Sequence, residues 1–376
     1  CALSGKASVR ITEATGRPAG TIHRTLCYQN GKFECNKENP LEADIVLLDE
    51  STMVNGRLFL DLLSAIPTGT KVILMGDVQQ LTPIGNCQVF SDILNSNVIP
   101  VARLTKPHRQ AMKSGIIPTS IHVAKQEQIF DSQFTGNKIL GDLQDMELEI
   151  TKDRDHLQDL IVKHFKKEMD KFKDIMEVQI CVPRKQGGAL SCMELNKRIQ
   201  NIYNPKQSNN DPEIRIQYGK KEEDFYVIRE GDKVINQKNN YKCYTESGEK
   251  VAVFNGNIGI VQEINEEECI IDFVGIGVVV FDRKTTDKLA LAYACTVHKL
   301  QGSGFKSVIV GIDNGSFIMN NSELLYTALT RAKNYCTLVG QNSAVRSAIR
   351  TKETKVKQTF LKEMLPLAAA EYDFAA

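Results

Sequence analysis

Two short apolar runs, each ending in a carboxylate, limit what this chain can become. Ile45 to Leu48 leads straight into Asp49 and Glu50, and Val72 to Met75 leads into Gly76 and Asp77. Neither run alternates, so each reads as a strand buried on both faces of a parallel sheet. Between them Leu58, Leu62 and Leu63 recur at helical spacing on a segment closed by Pro67 and Gly69, which predicts a βαβ crossover. Carboxylates at the carboxyl ends of such strands stand where doubly wound sheets bind ligands.

A second α/β block opens with Val178 to Val182 and resumes at Leu289 to Thr296, Val308 to Val310 and Thr337 to Val339. Within it, 214–285 changes character to short alternating strands with turns at Ser247-Gly248, Asn255-Gly256 and Gly275, the pattern of a small inserted β-barrel. From Ser114 to about Glu177 the pattern is helical, with Leu157, Leu160, Ile161, Phe165, Met169 and Phe172 on one stripe. The expected class is therefore α/β. A first parallel-sheet domain is predicted over 1–112, a helical connecting region over 113–177, a second domain over 178–350 and a tail over 351–376.

Lys plus Arg at 47 against Asp plus Glu at 46 leaves a net charge of +1, so any polyanion must be held by local groups rather than by a global field. The longest apolar runs fall short of the roughly 18 residues of a membrane helix, and a soluble chain is expected. The ten cysteines are scattered without a Cys-x-x-Cys pair, which predicts reduced thiols and a cytoplasmic setting rather than a zinc knuckle or disulfide framework. The opening at Cys1 reads like the interior of a domain, and the expectation is a piece whose amino terminus lies upstream.

Asp49-Glu50 after a buried strand suits a nucleotide hydrolase, one acid holding the water shell of Mg²⁺ and its neighbour orienting the attacking water. Alone, the pair is equally a helix cap or a solvated turn. Gly76-Asp77 through Gln80-Leu81 and Pro83 brings a further acid and amides to the same rim. Downstream, Thr296 to Ser303 follows a buried strand, and Leu325 to Lys333 lies on an amphipathic helix. Small and hydroxylated residues there suit phosphates, and Arg331 is a cation able to reach a terminal phosphate. A metal-dependent nuclease built on Asp49, Glu50 and Asp77 fares worse, for want of a His or further carboxylate cluster to complete a two-metal site. Lys166, Lys167, Lys171 and Lys173 read as a solvated helix face, and His122, His156 and His164 as surface or packing residues.

The ordered series Leu48-Asp49-Glu50-Ser51-Thr52-Met53, Gly76-Asp77 to Pro83, His108-Arg109-Gln110, Thr296-Val297-His298-Lys299 with Gln301-Gly302-Ser303, and Tyr326-Thr327 with Thr330-Arg331-Ala332 resembles the motifs of superfamily 1 DNA helicases. The closest branch is the RecD-like one, superfamily 1B. Ser4-Gly5-Lys6-Ala7, Thr21-Ile22-His23-Arg24, Asn39-Pro40-Leu41 and Asn239-Asn240-Tyr241 extend the resemblance over nearly the whole chain. It implies two RecA-like domains, with the barrel of the second being SH3-like, and a strand-separating hairpin at about 27–41. It implies an ATP-dependent helicase or translocase moving 5′ to 3′ on single-stranded DNA, with ATP and Mg²⁺ as cofactors and single-stranded or duplex DNA as partner.

By the same resemblance Asp49 binds Mg²⁺, Glu50 activates water, Gln80 senses the γ-phosphate, and Arg109 and Arg331 are arginine fingers. Asp77 and Gly302 complete the ATP-binding set. Ser4, Thr21 and His23 in the first domain, with Thr296, His298, Gln301 and Ser303 in the second, contact the DNA strand. Leu300 departs from the family's usual Ser, and Gly304 stands where an acid is common. No Gly-x-x-x-x-Gly-Lys-[Ser/Thr] run occurs in the 376 residues. Two readings stay open: a helicase whose phosphate loop lies upstream of this sequence, or an ATPase-inactive nucleic-acid-binding subunit that retains the fold.

Overall fold

The computed structural model describes the chain apart from residues 30, 84, 86, 106–112, 209–210, 219–221, 223–224, 353–358 and 372–376. The chain divides into two compact units, 1–108 with 353–376, and 109–352.

In the first unit, α1 (Gly5–Thr15) begins where the Ser4 hydroxyl accepts the Ala7 N–H at 3.2 Å and ends at Gly16. The short α2 (Ile22–Thr25) is capped in the same way by Thr21, and β1 (Tyr28–Gln29) and β2 (Lys32–Phe33) form a small hairpin. Next come β3 (Ile45–Leu48), α3 (Gly56–Ser64), β4 (Lys71–Leu74) and α4 (Val89–Ser96). β3 and β4 pair in parallel from Ile45↔Lys71 to Leu48↔Leu74, with α3 as the connection predicted from its leucines. Leu58 and Leu62 on α3 pack with Ile22, Leu26, Leu48 and Val54 to form the unit's core.

The second unit contains α5 (Ile116–Ala124), β5 (Gly136–Leu140), β6 (Met146–Thr151), α6 (Leu157–Phe172), β7 (Val178–Val182) and α7 (Cys192–Tyr203). The β-rich stretch follows: β8 (Glu213–Gln217), β9 (Phe225–Arg229), β10 (Lys233–Asn236), β11 (Asn240–Thr245), β12 (Lys250–Val253), β13 (Ile258–Ile264), β14 (Glu268–Phe273) and β15 (Gly277–Asp282). The unit closes with β16 (Leu289–Leu291), β17 (Ala294–Thr296), β18 (Phe305–Ile312), α8 (Ser322–Leu329), β19 (Ala332–Gln341) and α9 (Asn342–Arg350). A six-stranded sheet runs β17-β7-β18-β19-β6-β5, parallel except for the antiparallel edge strand β5. The insert is a seven-stranded antiparallel sheet, β12-β11-β15-β14-β13-β10-β16. Beyond the second unit, α10 (Leu361–Glu371) returns to pack on α4 in the first.

Three expectations need correction. β3 and β4, expected to be buried on both faces, form a two-stranded sheet on which Ile45, Val72 and Ile73 are exposed. The 113–177 region is not purely helical, because β5 and β6 form within it and join the second sheet. Met146, Leu148 and Ile150 alternate with Glu147 and Glu149, and all three apolar side chains are buried. Pairing with β19 overrides the helix-forming tendency of Leu, Met and Glu. Likewise Leu289 to Thr296 is not one strand. β16 pairs with β10 in the barrel and β17 with β7 in the parallel sheet, so this segment carries the chain from one sheet to the other at Ala292-Tyr293.

Candidate functional site

In the first unit the acids stand where β3 and β4 end. Asp49 Oδ1 accepts the Glu50 N–H at 2.8 Å. Glu50, in the left-handed region with φ 51°, turns the chain into a single 3₁₀ turn over Ser51–Met53. Ser51 donates its N–H to the Met75 carbonyl at 2.8 Å, and Met75 donates to Leu48 at 2.8 Å, so the two strand ends are locked together. Gly76 permits this: a Cβ there would lie 3.2 Å from the Thr52 backbone nitrogen. Just beyond, Asp77 Oδ1 accepts from the Gln79 N–H at 2.9 Å and Gln80 Nε2 donates to Asp77 Oδ2 at 3.5 Å. Asp49, Glu50, Asp77 and Gln80 thus come together at the carboxyl end of one parallel pair, the place such sheets offer to ligands.

Ala2 forms parallel bridges to both Asp49 and Thr21, which brings the Ser4 and Thr21 segments beside the same strand end. Both hydroxyls serve as helix caps, Thr21 Oγ1 accepting from Arg24 N–H at 3.2 Å. His23 packs edge-on against Tyr28 with ring centroids 5.4 Å apart and also lies against Phe33 at 5.6 Å. Burial lowers its pKa, against a smaller upward pull from Asp61.

In the second unit, Thr296 ends β17 and Val297–Leu300 forms a 3₁₀ turn. Leu300 is fully buried, so the departure from Ser at this position fills core. Gly302 takes φ 69°, a conformation that favours glycine, and turns the chain into Ser303. Arg331 is 5% exposed, and its guanidinium is held by the Thr327 carbonyl at 2.9 Å, the Ser303 carbonyl at 3.2 Å and Thr330 Oγ1 at 3.2 Å. The end of α8 is thereby tied to the Thr296–Ser303 loop. Gln301 Nε2 is buried with no hydrogen-bond partner among the described residues, while Thr296 and His298 are half-buried. Arg109 lies outside the described residues.

Beside this loop lies a cavity of about 290 Å³, lined in part by Thr296 and Lys299 of the loop itself. Lys185 and Lys299 each donate to Gln237 Oε1 at 3.2 Å, and Tyr218 and Tyr226 stack with centroids 6.2 Å apart. Burial pushes the Lys299 ammonium below the ordinary lysine pKa, Lys185 acts in the same direction, and the neighbouring cysteines act against it. The sequence carries little sign of the cavity, because Lys185, Lys197, Lys238 and Lys299 and the tyrosines Tyr218 and Tyr226 come from separate segments.

Comparison with known proteins agrees with this arrangement. An AAA domain profile matches residues 1–134, an ATP-dependent RecD-like DNA helicase SH3 domain profile residues 195–273, and a UvrD-like helicase C-terminal domain profile residues 291–339. The chain is similar to the ATP-dependent RecD2 DNA helicase of Deinococcus radiodurans, 30% identical over 97% of this chain and 46% of that protein. It is similar also to the RecBCD enzyme subunit RecD of Mycobacterium tuberculosis, 25% identical over 93% of this chain and 61% of that one. The chain thus spans about half the length of the first of these relatives and three fifths of the second. Among solved structures, a Pif1 helicase from Bacteroides in complex with ADP-AlF3 and ssDNA matches with a TM-score of 0.54 and 16% identity, covering all of this chain and 87% of that one. That last likeness is one of fold.

Proposed function

From the premise that the chain belongs to the RecD-like helicases, we propose that it is the motor portion of an ATP-dependent DNA translocase that moves 5′ to 3′ along single-stranded DNA. The observation that carries this reading is Arg331, whose one buried guanidinium bonds the Ser303 carbonyl. The cation assigned to the nucleotide thus grips the loop assigned to the DNA strand, so a change at one ligand is felt at the other.

In this reading Glu50 orients the attacking water and takes its proton as the bond from the γ-phosphorus to ADP breaks. Gln80 contacts the γ-phosphate, with Asp77 and Gly302 completing the pocket, and Arg331 and Arg109 offset the charge that develops on the transferred group. Asp49 Oδ1 is engaged by the Glu50 N–H, and its second oxygen suits a hydrated Mg²⁺, which supplies charge neutralisation at the phosphates. Ser4, Thr21 and His23 hold the strand in the first unit, and Thr296, His298, Gln301 and Ser303 hold it in the second. The buried Gln301 amide without a partner suits a phosphate oxygen, since an unpaired buried donor is costly. Grip of this kind uses backbone contacts, so little sequence preference and a fall in affinity with salt are expected.

The test is steady-state ATPase of the protein expressed from its full reading frame, with and without single-stranded DNA. Strong stimulation by the strand is expected. An equal rate in both conditions, or strand binding with no turnover at all, contradicts the motor and leaves a silent binding subunit.

A further inference from the structure

Far along the second sheet from the Thr296–Ser303 loop's strand, β6 carries a knot of donors that the proposed motor does not use. Glu147 and Glu149 alternate onto one face of β6, and α6 lays His164 over them. The His164 Nε2 lies 3.3 Å from Glu149 Oε2, and its Nδ1 lies 3.8 Å from Glu147 Oε2. His164 is 1% exposed, and its Nδ1 has no hydrogen-bond partner among the described residues. Asn137, which faces Glu149 in the β5–β6 register, donates to Glu147 Oε1 at 2.5 Å and to Glu149 Oε2 at 3.0 Å.

We propose that Glu147, Glu149 and His164 form a binding site for a divalent transition-metal ion of the Mn²⁺ type, clamping α6 to β6. One donor atom from each residue lies within 4.8 Å of the others. An ion with bonds of about 2.1 Å sets its ligand atoms roughly 3.0–3.4 Å apart, so the His164 Nε2–Glu149 spacing of 3.3 Å already fits and Glu147 closes on the same ion from within 4.8 Å. Two carboxylates and one imidazole without a thiolate suit Mn²⁺ better than the softer ions that cysteine attracts. Asn137 plays the orienting part that second-layer groups play around metal ligands.

Charge points the same way. Two carboxylates face one ammonium, that of Lys167, whose Nζ lies 2.7 Å from Glu147 Oε2, while Tyr335 donates to the same oxygen at 2.6 Å. The Lys167 side chain is 49% exposed, so its ammonium can swing into water when an ion takes its place.

The test is Mn²⁺ titration of the nucleotide-free protein, read from the electron paramagnetic resonance of unbound Mn²⁺. A saturable site besides any held by Asp49 is expected. Asn137→Ala should weaken it about 10- to 100-fold, and Glu149→Gln and His164→Ala by at least as much. Lys167→Met should tighten it by removing the competing cation, and Asp49→Asn should leave it unchanged. Because His164→Ala risks the fold, each variant is checked by its melting curve, and the milder Glu149→Gln decides the matter. Absence of saturable binding, or binding that is indifferent to Glu149→Gln and Lys167→Met, overturns the proposal.

Discussion

The acids of the first unit and the loop of the second are supported in opposite ways. Asp49 and Glu50 leave a two-stranded sheet on which Ile45 is 57% and Ile73 46% exposed, so their geometry depends on local backbone bonds such as Ser51 N–H to Met75 carbonyl. The Thr296–Ser303 loop leaves a six-stranded sheet whose neighbouring strand β7 is buried at every residue, and its position depends on buried side-chain networks. Arg331 is one of these. Asp232 is another: fully buried at the start of the barrel, it accepts from Gln200 at 2.5 Å, Asn204 and Tyr293 at 2.7 Å and the Arg229 N–H at 2.7 Å. Chemistry and stability are therefore separable in the first unit and entangled in the second.

The widest separation should come from paired turnover and melting measurements. Arg331→Ala should reduce ATP turnover by about 10³- to 10⁵-fold and also lower the melting temperature of the second unit. Glu50→Gln should reduce turnover by about 10²- to 10⁴-fold, with nucleotide binding and melting unchanged. Equal losses of melting temperature would erase the contrast.

Asp232→Ala strips four donors of their acceptor, two of them, Gln200 and Tyr293, fully within the interior and each worth roughly 1–3 kcal/mol, so denaturant unfolding should show a loss of about 3 kcal/mol or more in the second unit. The first unit offers a smaller effect. Ser4→Ala removes the cap of α1 and should cost about 1 kcal/mol, read from the same kind of unfolding curve. If Ser4 also contacts the strand, DNA affinity falls with it.

The smallest effect concerns pH. The folded pKa of His23 lies below its unfolded value of about 6.5, so the folded state favours the neutral ring against Tyr28 and Phe33. That contribution is complete above about pH 6.5 and is lost as pH falls below it. Melting of the first unit should therefore drop modestly from pH 7.5 to 5.5, and His23→Gln should flatten the dependence.

The sequence made β3, the α3 crossover and, within one residue, β4 legible, because the apolar runs and the Pro67 and Gly69 stop mark them locally; the insert is expected over 214–285, whereas its seven-stranded sheet runs from β10 to β16, with β8 and β9 paired apart from it. It failed where pairing partners are remote. Met146 to Thr151 is rich in helix formers, and pairing with β19 on one side and β5 on the other makes it a strand. Leu289 to Thr296 is uniformly apolar, and nothing local says that it changes sheets at Ala292-Tyr293. His164 read as an ordinary packing residue because Glu147 and Glu149 approach it only once β6 has formed. The cavity beside Lys299 was hidden for the same reason, its lysines and tyrosines coming from segments far apart in sequence.

The central claim of the proposed function is that the Arg331 guanidinium acts on the transferring phosphate. It is tested most directly by the affinities of Arg331→Ala, in the protein from its full reading frame, for ADP and for ADP with aluminium fluoride, a mimic of the transferring phosphate. Weakening of the fluoride complex by at least about 10²-fold with ADP affinity unchanged is predicted, since a group that acts in the transition state should bind its mimic selectively. Equal affinities of the variant and the parent protein for both ligands would contradict the account.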